Sequence, residues 1–144
     1  TAYAEGWGLY TETMGKELGV FTDPYMYFGG LQGELWRAIR LVVDTGLHDK
    51  GWTREQVIKY MRDNSAVSET DAIAEAERYM AIPGQALAYK VGQLKIRELR
   101  TRASNELGEK FDVREFHDQV LKDGSLPMSV LEAKIDRWIA SKKK

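Results

Sequence analysis

The sequence predicts an all-α fold of about seven helices, arranged as a multi-helical array. Two observations carry that expectation. Apolar residues recur at spacings of three and four along nearly the whole chain, and helix start and stop signals punctuate it at legible intervals. No segment alternates as a half-buried strand would, and there is no internal repeat or low-complexity tract.

Tyr3, Trp7, Tyr10, Met14 and Leu18 form a stripe on one face of a first helix ending near Gly19. Asp23 caps a second helix that begins with Pro24 at its first position and runs to about Gly46, roughly 33 Å at 1.5 Å per residue. Its predicted buried stripe is Phe28, Leu31, Leu35, Ile39 and Val42. Gly29, Gly30 and Gly33 inside it each cost about 1 kcal/mol relative to Ala, which close approach of a helix or a ligand would offset. Thr53 and Gln56 make a capping box for the third helix, with Trp52 and Val57 at the staple positions. Ser68 caps a fourth helix reaching about Ala81. A fifth starts at Pro83 and continues through Leu87, Val91, Leu94, Leu99, Ala103 and Leu107 to Gly108. Asp112 with Glu115, flanked by Phe111 and Phe116, predicts a second capping box on a sixth helix closed by Gly124. The seventh begins near Pro127 and packs Leu131, Ile135, Trp138 and Ile139.

Composition narrows the function classes. A chain of 144 residues with 43% hydrophobic and 30% charged residues can close a real core and is expected to form a single helical domain or fragment over 1–144. The net charge of −1 argues against a general nucleic-acid binder, which needs a basic excess to neutralise phosphates. No apolar run approaches the ~20 residues of a membrane span. With no Cys there is no disulfide scaffold, thiolate metal site or Cys nucleophile. The start at Thr1 reads as the inside of an element, as in a fragment or processed product, and Lys142, Lys143 and Lys144 read as a solvated helix end rather than an anionic-surface anchor.

The chain lacks a His-Glu-x-x-His helix, a phosphate-cradling glycine loop and a Gly-x-Ser-x-Gly elbow. His117, beside Phe116 and Val120, reads as structural. His48 follows the Asp44-Thr45-Gly46 helix stop and is placed on a loop, either as a functional residue or as a cation facing a helix dipole. Glu5 lies opposite the Tyr3/Trp7/Tyr10 stripe, with Glu12 about 10 Å further along that face; spacing alone favours a solvated acid over a metal ligand, and Glu12 has Lys16 at i+4. A second cluster gathers Arg78, Tyr79, Gln85, Tyr89 and Lys90 around one helix-to-helix corner. Such groups suit a carboxylate clamp or an oxyanion, and equally an ordinary packed corner with solvated charges.

Tyr3-Ala4-Glu5-Gly6-Trp7-Gly8-Leu9-Tyr10 resembles a signature of the bacterial "domain of unknown function 885" family, whose members look like zinc metallopeptidases. The likeness continues through Arg40 to His48, Trp52 to Gln56, Arg78-Tyr79, Pro83 to Lys90, and Phe111 to His117, in family order along almost the whole chain.

The resemblance implies an α-helical metallopeptidase-like fold. In that family a His-Glu-x-x-Pro-Gly-His motif precedes the Glu-Gly-Trp block, and the resemblance implies that it holds two zinc ligands and a general base. The third ligand would be Glu5. That set, with an open fourth position, is the logic of a catalytic zinc. This chain contains no such His-Glu motif and therefore looks like the C-terminal part of a longer zinc-dependent peptidase-like hydrolase, inactive alone. The resemblance places His48, Arg78 and Tyr89 in catalytic roles and Tyr79, Gln85 and Lys90 in substrate binding. It implies zinc in the full-length parent and none bound to this chain alone. Expected partners are the upstream half of the same protein and a peptide-like substrate, with self-association through a face of the first two helices left exposed. The competing class is a non-catalytic helical interaction domain of peptidase ancestry. The resemblance points to the cell envelope or secretion, while the residues themselves are equally compatible with the cytoplasm.

Overall fold

The computed structural model describes residues 1–144 and contains seven α-helices and no strand. They are α1 (Ala2–Met14), α2 (Pro24–His48), α3 (Arg54–Asn64), α4 (Glu69–Ala81), α5 (Ala88–Leu107), α6 (Val113–Leu121) and α7 (Met128–Lys143), with one 3-10 turn at Gly108–Lys110. The all-α expectation holds. None of the helices is long and apolar enough to cross a membrane.

Two apolar cores organise the array. In the first, Tyr3 and Tyr10 of α1 meet Ile96, Leu99 and Ala103 of α5, Phe116 and Val120 of α6, and Leu131, Ile135 and Ile139 of α7. In the second, Ile39 and Val43 of α2 pack with Val57 and Met61 of α3, Ala72, Ala76 and Tyr79 of α4, and Ala86 from the corner before α5. That corner therefore lies where the two cores adjoin, and it carries the polar cluster.

Local chemistry explains most boundaries. The Asp23 carboxylate accepts the backbone N–H groups of Tyr25 and Met26, with Pro24 opening α2. The Thr53–Gln56 capping box is reciprocal, and Ser68 accepts from the Asp71 N–H. At α6 the expected box is not formed. Asp112 accepts from the N–H groups of Arg114 and Glu115, but the Glu115 carboxylate is drawn to Lys142 at 2.6 Å.

Several expectations need correction. α1 ends at Met14 rather than near Gly19, because Val20 N–H bonds the Gly15 carbonyl and Gly19 takes a positive φ, turning the chain; Leu18 is exposed. Gly46 does not stop α2. It lies inside the helix with the Trp52 ring across it, so His48 is the last helical residue and not a loop residue. Of the predicted α2 stripe only Ile39 is buried, while Phe28, Leu31, Leu35 and Val42 face outward. α5 begins at Ala88, since Gly84 at φ 80° starts a series of short turns from Ile82 to Ala88. Val91 and Leu94 are exposed, because Gly92, Ile96 and Leu99 carry the buried face. The glycine pair that brings two helices together is Gly6 with Gly92; around Gly29 there is open space, and Gly30 meets the Phe21 ring. Glu12 pairs with Arg37 at 3.3 Å rather than with Lys16.

Candidate functional site

Glu5 projects from the first turns of α1, and its Oε1 accepts a long hydrogen bond of 3.4 Å from Gln85 Nε2. The same amide lies 3.4 Å from the Tyr89 hydroxyl at the start of α5. Its carbonyl oxygen accepts from Arg78 Nη1 of α4 at 3.3 Å. Three helices and the 83–87 corner thus contribute to one half-buried row: Glu5, Gln85, Tyr89 and Arg78. The bond from Gln85 to Glu5 spans 80 positions in sequence.

The row continues into a tight ion cluster. Arg78 clasps Glu75 with two bonds, Nε to Oε1 at 3.0 Å and Nη2 to Oε2 at 2.8 Å. Arg40 of α2 reaches Glu75 Oε2 at 3.1 Å and donates through Nε to the Tyr79 hydroxyl at 2.8 Å. The Tyr79 hydroxyl in turn donates to Glu75 Oε2. The Arg40 guanidinium also lies over the Tyr89 ring, 5.1 Å from its centroid. Burial pushes the Glu75 carboxyl up, but hydrogen bonds from Arg78 and Tyr79 and the charges of Arg78 and Arg40 outweigh it and bring the pKa down to about 2. Tyr79 is held well above its ordinary value by burial and by its bond to Glu75. Hydrogen bonding to Glu75 raises Arg78 further. The cluster is therefore a fixed ion network at neutral pH.

The corner that presents Gln85 is tied down by Asp44, a buried residue of α2. Its carboxylate accepts the Gly84 backbone N–H, at 3.1 and 3.2 Å from the two oxygens. His48 approaches from the end of α2, with Nε2 3.0 Å from the Tyr79 carbonyl oxygen. A ring N–H must point there, since a carbonyl can only accept.

These positions redistribute the expected roles. Glu5, Arg78, Gln85 and Tyr89 come together. Tyr79 is only 1% exposed and its hydroxyl is shared between Glu75 and Arg40, so it is a core residue rather than an open lining of a cleft. Lys90 is held elsewhere, by Glu34 and Gln93 at 2.7 Å each. Two of Arg78's three guanidinium nitrogens are engaged by Glu75, leaving the Nη1 edge beside Gln85.

Sequence reasoning missed Glu75, Arg40 and Asp44. Glu75 had a signal: it stands three and four residues before Arg78 and Tyr79, on the same face of α4. Arg40 and Asp44 stand in the Arg40-to-His48 block, but their partners lie 35 to 40 positions away and no local spacing points to them.

For a metal, no group of three or more His, Cys, Asp or Glu side chains is placed to hold an ion. Glu5 offers one carboxylate and its hydrogen-bonding neighbour is an amide. The residues of this chain do not by themselves fit a catalytic zinc site, which needs about three protein ligands. A groove of about 180 Å³ between α1 and α2, lined in part by Leu9, Phe21 and Leu31, contains none of the row's residues.

Comparison with known proteins agrees with this architecture. The solved structure of a putative lipoprotein from Colwellia psychrerythraea superposes with a TM-score of 0.95 and 56% identity, covering 98% of this chain and 24% of that one. A second, a putative lipoprotein of unknown function from Shewanella oneidensis, gives 0.86 and 29%, covering 92% and 24%. The chain thus spans about a quarter of the length of these solved relatives. Among curated proteins there is no match. The family model described as "Bacterial protein of unknown function (DUF885)" matches residues 1–135, and the chain belongs to that family.

Proposed function

We propose that the chain is the C-terminal part of a larger helical hydrolase of the zinc-metallopeptidase kind, in which Glu5 is a metal ligand. Arg78, Gln85 and Tyr89 form one wall of a cleft for a peptide-like substrate. The observation that carries this reading is the convergence of Glu5, Gln85, Tyr89 and Arg78 from three helices into one half-buried polar row. The resemblance of the Glu5-Gly6-Trp7 block to metallopeptidase-like proteins supports it, as does the greater length of the solved relatives.

The row's own chemistry is positioning. Gln85 bridges a carboxylate and a guanidinium, which sets the direction in which each can meet a substrate backbone. Tyr89 and the Nη1 edge of Arg78 supply donors beside it, suited to a developing negative charge. Glu75 keeps Arg78 charged and still. The remaining ligands and the general base belong to the upstream segment in this reading, so this chain alone binds no stoichiometric zinc and hydrolyses no peptide. The lipoprotein descriptions of both solved relatives favour the cell envelope.

The test uses the full-length protein. Glu5→Gln is expected to lower zinc content after dialysis sharply while circular dichroism stays unchanged; full zinc content would overturn the ligand assignment. Tyr89→Phe and Arg78→Ala are expected to retain zinc and slow peptide hydrolysis by roughly ten- to a thousand-fold. The commitment of Arg78 to Glu75 favours the second reading, a non-catalytic helical interaction domain, and a full-length protein without bound zinc or peptide hydrolysis would leave that one standing.

A further inference from the structure

α2 is apolar over a broad arc that is only partly covered. Ile39, Val43 and Gly46 are buried in the second core and against Trp52. Phe28, Leu31, Leu35, Ala38 and Val42 form a stripe alongside them, spaced three, four, three and four residues apart. That is an a/d seam, the narrow stripe along which one helix packs lengthwise on another. It is about 21 Å long at 1.5 Å per residue. Phe28 is 59% exposed, Leu31 44%, Leu35 43% and Val42 36%. A surface helix of a self-sufficient domain buries its apolar stripe; an uncovered extension of that stripe marks an interaction surface.

We infer that this seam is the docking site for a helix from the remainder of the same, longer polypeptide. The inference rests on the reading that the chain is part of such a polypeptide, and needs neither the metal nor the hydrolase assignment. The occupant is argued from length and area. The solved relatives, alike over 98% and 92% of this chain, have only 24% of their own chains matched, so about three-quarters of each lies outside this segment. A helix tethered within one molecule binds at high effective concentration and needs no large interface. A second copy does: five side chains on one helix offer roughly a few hundred Å², below the ~800 Å² per partner of a standard stable complex.

The experiment places single cysteines in the full-length protein at Leu31→Cys, Leu35→Cys and Gly29→Cys, and follows maleimide labelling of each peptide by mass spectrometry. Gly29 is on the same helix but off the seam, with nothing within 4 Å of an added Cβ in this chain, so it serves as the reference helical thiol. The two seam thiols are expected to react at least ten-fold more slowly than Gly29→Cys in native buffer, and at the same rate in denaturant. Equal native rates would overturn the proposal. Slow seam labelling that speeds up on dilution would also overturn it, by seating a second copy there.

Discussion

Gly6 of α1 and Gly92 of α5 meet backbone to backbone. A Cβ on Gly92 would stand 2.7 Å from the Gly6 Cα and collide with the Ala2 carbonyl group. Neither neighbour is a flexible side-chain tip that could swing aside. Gly92→Ala is therefore expected to lower stability by about 1–3 kcal/mol through forced separation of the two helices. Gly29→Ala, in open space on α2, is expected to raise it by about 0.5–1 kcal/mol through helix propensity. Urea denaturation of both variants checks the opposite signs.

Asp44 holds the 83–87 corner through the Gly84 N–H. Removing the acceptor in Asp44→Ala is expected to cost about 1.5–3 kcal/mol, the range for a hydrogen bond to a charged group. Asp44→Asn keeps an acceptor oxygen and is expected to cost about 1 kcal/mol or less. Chemical denaturation measures both, and equal losses would show that the bond to Gly84 is not what matters at this position.

Glu75 predicts an acid-side loss of stability. Its folded pKa of about 2 lies below the ordinary carboxylate value of 4.5, so the unfolded chain binds the proton more readily. Stability from this group is complete above about pH 5 and is lost as pH falls toward 2, by at most about 3 kcal/mol. Glu75→Gln is expected to be less stable at neutral pH, because Arg40 and Arg78 lose their shared counter-ion, and to show a shallower decline between pH 5 and 2. Thermal melts across that range check the slope.

His117 adds a second pH-dependent step. Arg100 Nη1 donates to the Tyr10 hydroxyl at 3.2 Å, and that hydroxyl lies 2.8 Å from His117 Nε2, where it donates to a neutral ring. Burial, then the Arg100 charge, push the His117 pKa down, with Glu17 partly opposing. The depressed folded value means stability is lost as pH falls below about 6.5, the ordinary imidazole value. His117→Gln is expected to remove that part of the pH dependence, read from denaturation midpoints at pH 7 and pH 5.

Helices α3, α4 and α7 were readable because their caps and stripes act within one turn or two. Thr53 with Gln56, Ser68, and Leu131 with Ile135 and Ile139 meet their partners locally or on a single face. Phe28, Leu31 and Leu35 misled for the converse reason. Periodicity reveals that a face is apolar but not what stands opposite it, and in this structure these side chains are left largely exposed.

The candidate site divides along the same line. Sequence alone named Glu5, His48, Arg78, Tyr79, Gln85, Tyr89 and Lys90 as candidates, through residue type and the Glu5-Gly6-Trp7, Arg78-Tyr79 and Pro83-to-Lys90 blocks. It also determined the helical class, since backbone hydrogen bonds and caps are local. Only the tertiary structure decided that Gln85 stands between Glu5 and Arg78, that Tyr79 is taken inward by Arg40 and Glu75, and that Lys90 belongs to Glu34. Those pairings span 4 to 80 positions, and the long ones depend on how α1, α2, α4 and α5 cross. The crossing follows from close approach of whole backbones, as at Gly6 and Gly92, which no local pattern of residues encodes.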